Sequence, residues 1–120
     1  MTTRVLVVDD SPLVRMLAGK ALDSMGCEAT FAEDGRQALD VLGPGIDVAL
    51  VDRNMPVMDG PALIRAIRER DDLGGMKLVL MSATDEADGA ASAEAFGTDA
   101  FLMKPFNREQ LTRLLAELVR

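Results

Sequence analysis

The chain has no histidine, no tryptophan, no tyrosine and a single cysteine, Cys27. Each absence closes off a class of chemistry. With no imidazole and no second thiol there is no thiolate or imidazole metal site and no internal disulfide, so a bound cation has to be held by oxygen. A reaction that runs through phosphohistidine needs that imidazole from a partner. Positive charge is also scarce, since 13 Lys plus Arg face 20 Asp plus Glu for a net charge of -7. A surface of that sign repels a phosphate backbone and argues against nucleic acid as a direct partner. No apolar run approaches the roughly 20 residues of a membrane span. No signal peptide is visible either, and the expected location is cytoplasmic, with no membrane association.

What is present is the make-up of one globular domain, expected to fill residues 1–120. Apolar runs occur at 4–9 (RVLVVD), 28–32 (EATFA), 46–52 (IDVALVD), 77–82 (KLVLMS) and 99–104 (DAFLMK). Short continuous runs of this kind suit strands buried on both faces. Helical patterns lie between them. Ser11 offers an N-cap, Pro12 fits the first helical position and Gly26 marks a stop. A short helix is expected over 35–42, a third over 61–70 and a fourth over 85–96. The last starts at the cap Asn107 and sets Leu111, Leu114, Leu115 and Leu118 on one stripe. Strands alternating with helices predict an α/β fold with a doubly wound parallel sheet. The fourth helix is the weak element, because it offers little bulk and Gly89 in its interior costs about 1 kcal/mol relative to alanine. It is expected to be the most mobile.

Four of the five strands end on a polar group: Asp9-Asp10, Asp52, Ser82 and Lys104. In an open parallel sheet all carboxyl ends share one edge, where ligands bind. Residues spread over a hundred positions are thereby gathered into one place. A single Asp or Ser after a strand is commonly just a turn or a cap. Three carboxylates and one ammonium on one edge are a different matter, since like charges brought together call for a cation. Oxygen ligands of this kind suit Mg2+. The lysine makes sense if a phosphoryl group binds as well, with a carboxylate as nucleophile. Asp52 is the candidate nucleophile because it alone ends the central strand.

The segments VVDDSP, VDRNMPVMDG, LMSA and KPF resemble the signature segments of response-regulator receiver domains, closest to stand-alone CheY-like receivers, and the match runs the whole chain in order. The resemblance implies a flavodoxin-like, five-stranded sheet of order 2-1-3-4-5 with five helices. It implies a phosphoryl group taken from a histidine kinase or histidine phosphotransfer protein onto Asp52. By motif, Asp9 and Asp10 match the acidic pair around Mg2+, Asp10 the more direct ligand, and Asn54 adds its backbone carbonyl. Ser82 resembles the switch hydroxyl and Lys104 the phosphate-binding lysine, with a cis bond to Pro105. Phe101 takes the place of a switch aromatic but has no hydroxyl. Arg53 and Thr84 occupy places expected to tune the lifetime of the phosphorylated form.

The same resemblance places the output surface on the fourth helix, fifth strand and fifth helix, with Arg108 and Arg113 on it, and suggests chemotaxis or motility as the setting. A monomer or a phosphorylation-dependent dimer is expected. Leu13 and Met16, with Pro105 and Phe106, offer a patch for docking a four-helix phosphotransfer bundle. Such a chain is no enzyme beyond its own phosphorylation and dephosphorylation. Alternatives are a phosphate sink for a kinase, a receiver excised from a larger regulator, and an aspartate-nucleophile phosphatase. The phosphatase reading is disfavoured, because Asp9 and Asp10 are adjacent where a D-x-D arrangement is needed. Met1 directly before the first strand favours a complete single-domain regulator over an excised one.

Overall fold

Five runs of Val, Leu, Ala and Met become the strands of one parallel sheet in the computed structural model of the chain, which describes residues 2–83 and 86–119. The strands are β1 (Arg4–Val8), β2 (Glu28–Ala32), β3 (Val48–Asp52), β4 (Lys77–Ser82) and β5 (Ala100–Met103). The helices are α1 (Pro12–Ser24), α2 (Gly35–Val41), α3 (Gly60–Arg68), α4 (Glu86–Phe96) and α5 (Arg108–Leu118). The sheet order is β2-β1-β3-β4-β5, so the chain reverses direction across the sheet between β1 and β3. That is the expected doubly wound order. One 3-10 turn at Asp71–Leu73 was not legible in the periodicity.

Helix starts follow the side-chain chemistry of their caps. Ser11 accepts from the Val14 N–H, Asp34 from Gln37, Asp59 from Ala62 and Asn107 from Gln110, and each satisfies an amide that the helix itself leaves unpaired. Asp59 places the start of α3 at Gly60, one residue earlier than the pattern suggested, with Pro61 in its first turn.

Strand alternation divides the core in two. Leu6, Val8, Ala49, Val51, Leu78 and Leu80 face α2, α3 and α4, where Leu63, Ile64, Ile67 and Ala93 meet them. Val5, Val7, Val48, Leu50, Val79 and Met81 face α1 and α5, against Ala18, Leu22, Leu111 and Leu115. At about 25 cal/mol per Å² this two-sided burial is the main force holding the sheet edge in place.

Gly89 has a role that the sequence did not reveal. It is buried, and a Cβ there would run into the Phe101 ring. The residue that lowers the helix propensity of α4 is also the one that lets a β5 aromatic close against it. Among the described residues, no helix is long and apolar enough to cross a membrane.

Candidate functional site at the carboxyl edge of the sheet

Asp9 follows β1 directly, Asp52 ends β3, Ser82 ends β4 and Lys104 follows β5, so the four side chains arrive at one edge from four strands. Asp9 and Asp52 share the parity of Val5, Val7, Val48 and Leu50, on the α1 and α5 side of the sheet. Both carboxylates are buried, at 0% and 3% exposure, and Ser82 is 2% exposed. Asp10 remains exposed. One oxygen from each of Asp9, Asp10 and Asp52 lies within 4.8 Å of the others.

Lys104 supplies the counter-charge. Its Nζ donates to Asp9 Oδ2 at 3.1 Å and to Asp52 Oδ1 at 3.0 Å. Its backbone is fixed as well, because the Lys104 N–H donates to the Ser82 carbonyl at 2.7 Å and the bond to Pro105 is cis, as expected. The other Asp9 oxygen, Oδ1, accepts from the Ser11 N–H at 2.9 Å. Arg15 is a member of this site that sequence reasoning missed. Its Nη1 donates to the Asp9 backbone carbonyl at 2.6 Å and its Nη2 lies 3.7 Å from Glu33. The available signal was its position one helical turn after the cap Ser11, which turns it back toward the end of β1.

Burial pushes the Asp52 carboxyl above its ordinary value, the hydrogen bond from Lys104 opposes this, the Asp9 charge adds to it, and the Asn54 backbone N–H lowers it again. For Lys104, burial works against the ammonium, yet the bonds to Asp52 and Asp9 outweigh it and the net direction is upward. The result is a charged lysine held between two acids. Three carboxylates gather here with one ammonium, which bonds two of them, and the surplus negative charge, on hard oxygen donors only, fits a divalent cation such as Mg2+.

The loop after Asp52 is held tightly. The Arg53 N–H donates to the Met81 carbonyl at 2.9 Å, and its own carbonyl accepts from the Gly60 N–H at 3.0 Å. A Cβ on Gly60 would strike the Asp52 carbonyl oxygen and stand 2.9 Å from the Arg53 Cα, so only glycine closes the loop here. Met55 and Met58 pack on the core, and Asn54 is exposed. Thr84 lies outside the described residues. Leu13, Val14, Leu17, Pro105 and Phe106 line an apolar hollow of 320 Å³ beside Lys104. Met16, expected in the same patch, opens instead onto a separate groove with Phe31 and Gly19.

The profile of the response regulator receiver domain matches residues 5–116. The chain belongs to the response-regulator receiver family. Among relatives, it is 32% identical to the chemotaxis protein CheY of Treponema pallidum over 121 residues, covering 98% of this chain and 83% of that protein. It is likewise 32% identical over 121 residues to the response regulator MprA of Mycolicibacterium vanbaalenii, spanning 100% of this chain but 52% of that protein. For the transcriptional regulator NtrC of Klebsiella pneumoniae the share falls to 23%. The receiver therefore spans about half or less of several curated relatives it matches. In solved structures, the chemotaxis response regulator CheY4 of Vibrio cholerae superposes with a TM-score of 0.90 at 30% identity, covering 99% of this receiver and 100% of that chain.

Proposed function

We propose that this receiver accepts a phosphoryl group on Asp52 from the phosphohistidine of a histidine kinase or histidine phosphotransfer protein. The observation that carries the reading is the buried Asp52 carboxylate, held beside Asp9 and bound by the one lysine that reaches both. An Asp52 oxygen attacks phosphorus, the P–N bond breaks, and its electron pair stays on the partner's imidazole. Asp9, Asp10 and Asp52, with the Asn54 backbone carbonyl, are the groups that would hold Mg2+. When bound, that ion offsets negative charge on the phosphoryl oxygens. Lys104 exchanges its hold on Asp52 for the phosphoryl group, whose charge an ammonium so placed stabilises. The Ser82 hydroxyl is the candidate donor to a further phosphoryl oxygen.

The chain catalyses no other reaction in this reading. Output runs through α4, β5 and α5, where Met103, Arg108 and Arg113 are exposed, toward a protein target. The likeness to the chemotaxis proteins CheY and CheY4, each covered over most of its length, favours a motility setting. The cytoplasm, where kinases of this kind present their phosphohistidine, is the proposed location.

Intact-mass spectrometry after incubation with acetyl phosphate, with and without Mg2+, tests the proposal. The wild type is expected to gain one phosphoryl group only with Mg2+, and Asp52→Asn to gain none. An unmodified wild type with an unchanged donor would sink it.

A further inference from the structure

Asp52 and Arg53 are consecutive, and strand pleating sends their side chains to opposite faces. Asp52 turns to the α1 and α5 side, while Arg53 has the parity of Ala49 and Val51 and emerges beneath α4. There its Nη1 donates to the Ser92 Oγ at 3.2 Å, and the guanidinium carbon stands 5.7 Å from the centroid of the Phe96 ring. Ser92 and Phe96 are four residues apart, on one face of α4. A single side chain rooted next to the phosphoacceptor therefore grips the last two turns of that helix.

We propose that Arg53 is a latch between the phosphoacceptor strand and α4, and that phosphorylation of Asp52 opens it. The inference rests on the reading of Asp52 as phosphoacceptor. Arg53 is a positioning residue here, since it acts on α4 and takes no part in the transfer. Its backbone cannot follow a change at Asp52, being bonded to the Met81 carbonyl on one side and to the Gly60 N–H on the other, with no spare room at Gly60. Only the side chain is free to respond. A transferred phosphoryl group brings added negative charge and three acceptor oxygens to the neighbouring residue. It competes for the guanidinium against a neutral hydroxyl and a ring face, both weaker partners than a phosphate that arginine can grip with two donors.

Among the described residues, α4 is otherwise held by apolar packing, including Phe96 against the core, and by the Arg68 bonds to the Gly97 carbonyl. Ala93 sits in the core, and the Phe101 ring fills the notch at Gly89. Phe101 has no hydroxyl with which to reward an outward position, so in this chain the charge-sensing step falls to Arg53. An arginine can sense charge at the site where a phenyl ring cannot.

Hydrogen exchange of the 86–97 segment, read by mass spectrometry, tests the latch on wild type and Arg53→Gln, before and after acetyl phosphate with Mg2+. In the donor reaction an Asp52 oxygen attacks phosphorus and acetate leaves with the P–O bonding pair. Rates are compared at equal adduct fraction, measured by intact mass. The wild type is expected to exchange roughly three- to tenfold faster in this segment once phosphorylated, the amount a lost ring contact and hydroxyl bond imply. Arg53→Gln is expected to exchange fast in both states with no further response. Ser92→Ala, which removes only the acceptor, raises the unphosphorylated rate and shrinks the response, and it carries the test if Arg53→Gln fails to fold. A phosphorylated wild type with unchanged α4 exchange overturns the latch. So does a variant that is faster in both states by one common factor, the mark of a merely structural contact. A wild type without adduct removes the Asp52 reading, and the latch with it.

Discussion

The two edges of the sheet carry similar residues and treat them in opposite ways. At the amino edge the acids are held by donors: the Arg4 backbone N–H donates to Asp47 at 2.8 Å, and Asp99 receives the Leu78 N–H at 2.8 Å and the Arg68 guanidinium at 3.1 Å. Arg68 then reaches on to the Gly97 and Met76 carbonyls and ties the β4 and β5 entries to the helices around them. At the carboxyl edge oxygens of three carboxylates lie within 4.8 Å of one another, and one ammonium bonds two of them. Arg15 spends its bond on the Asp9 backbone carbonyl and adds no partner to the carboxylates. A balanced edge holds the fold together, and an unbalanced edge waits for something cationic or for a group that changes the count. The imbalance marks the site more clearly than the presence of charge does.

Changing charge at each edge separately breaks or sharpens this contrast. The largest effect is expected from Lys104→Met, which leaves Asp9 and Asp52 buried side by side with no counter-charge. It is expected to cost about 3 kcal/mol in urea unfolding and to slow adduct formation from acetyl phosphate about a hundredfold. A stability loss without slower transfer would make the lysine a structural partner only.

Asp52→Asn is expected to do the reverse for stability. The folded carboxyl is held above its ordinary value, burial leading and Asp9 adding. Its ionised form therefore costs stability at neutral pH, and that cost fades as pH falls through the raised folded value toward the unfolded one. In Mg2+-free buffer the variant's midpoint is expected to exceed that of the wild type by roughly 2 to 6 °C at pH 7, with the gap closing in acid. A lower midpoint at pH 7 would refute the charge-surplus account.

The smallest effect belongs to the amino edge. Arg68→Met removes a pair about one-third exposed together with bonds to the Gly97 and Met76 carbonyls, and its expected cost is about 1 kcal/mol. Adduct formation is expected to match the wild type. If it does not, the two edges are coupled and the comparison fails.

Much of this was open to reading in the sequence, for definable reasons. Strands buried on both faces give unbroken apolar runs, so β1, β3 and β4 stand out, and polar residues placed just after such runs share an edge by the rule of parallel sheets. Asp9, Asp52, Ser82 and Lys104 could thus be grouped without coordinates. Contacts between side chains from distant elements could not. Nothing in the local pattern of α4 says that the space at Gly89 belongs to Phe101, a residue of the next strand, and the glycine reads only as a loss of helix propensity. Arg53 is intermediate: strand parity assigns it to the α4 side, but its partners Ser92 and Phe96 depend on how the helix docks. The 3-10 turn at Asp71–Leu73 is too short to show any period.

The bond between Lys104 and Asp9 spans 95 positions of the chain. Synthesis delivers the acids first and the lysine near the end, since a chain emerges and begins to fold from its amino terminus. Until β5 is in place, Asp9 and Asp52 face burial with no partner to neutralise them. Completion of the sheet and arrival of the one ammonium that bonds both buried acids are therefore one event. A partly made or nicked chain lacking its last strand has neither a finished core nor the lysine that bridges Asp9 and Asp52, and it is expected to gain no adduct from acetyl phosphate.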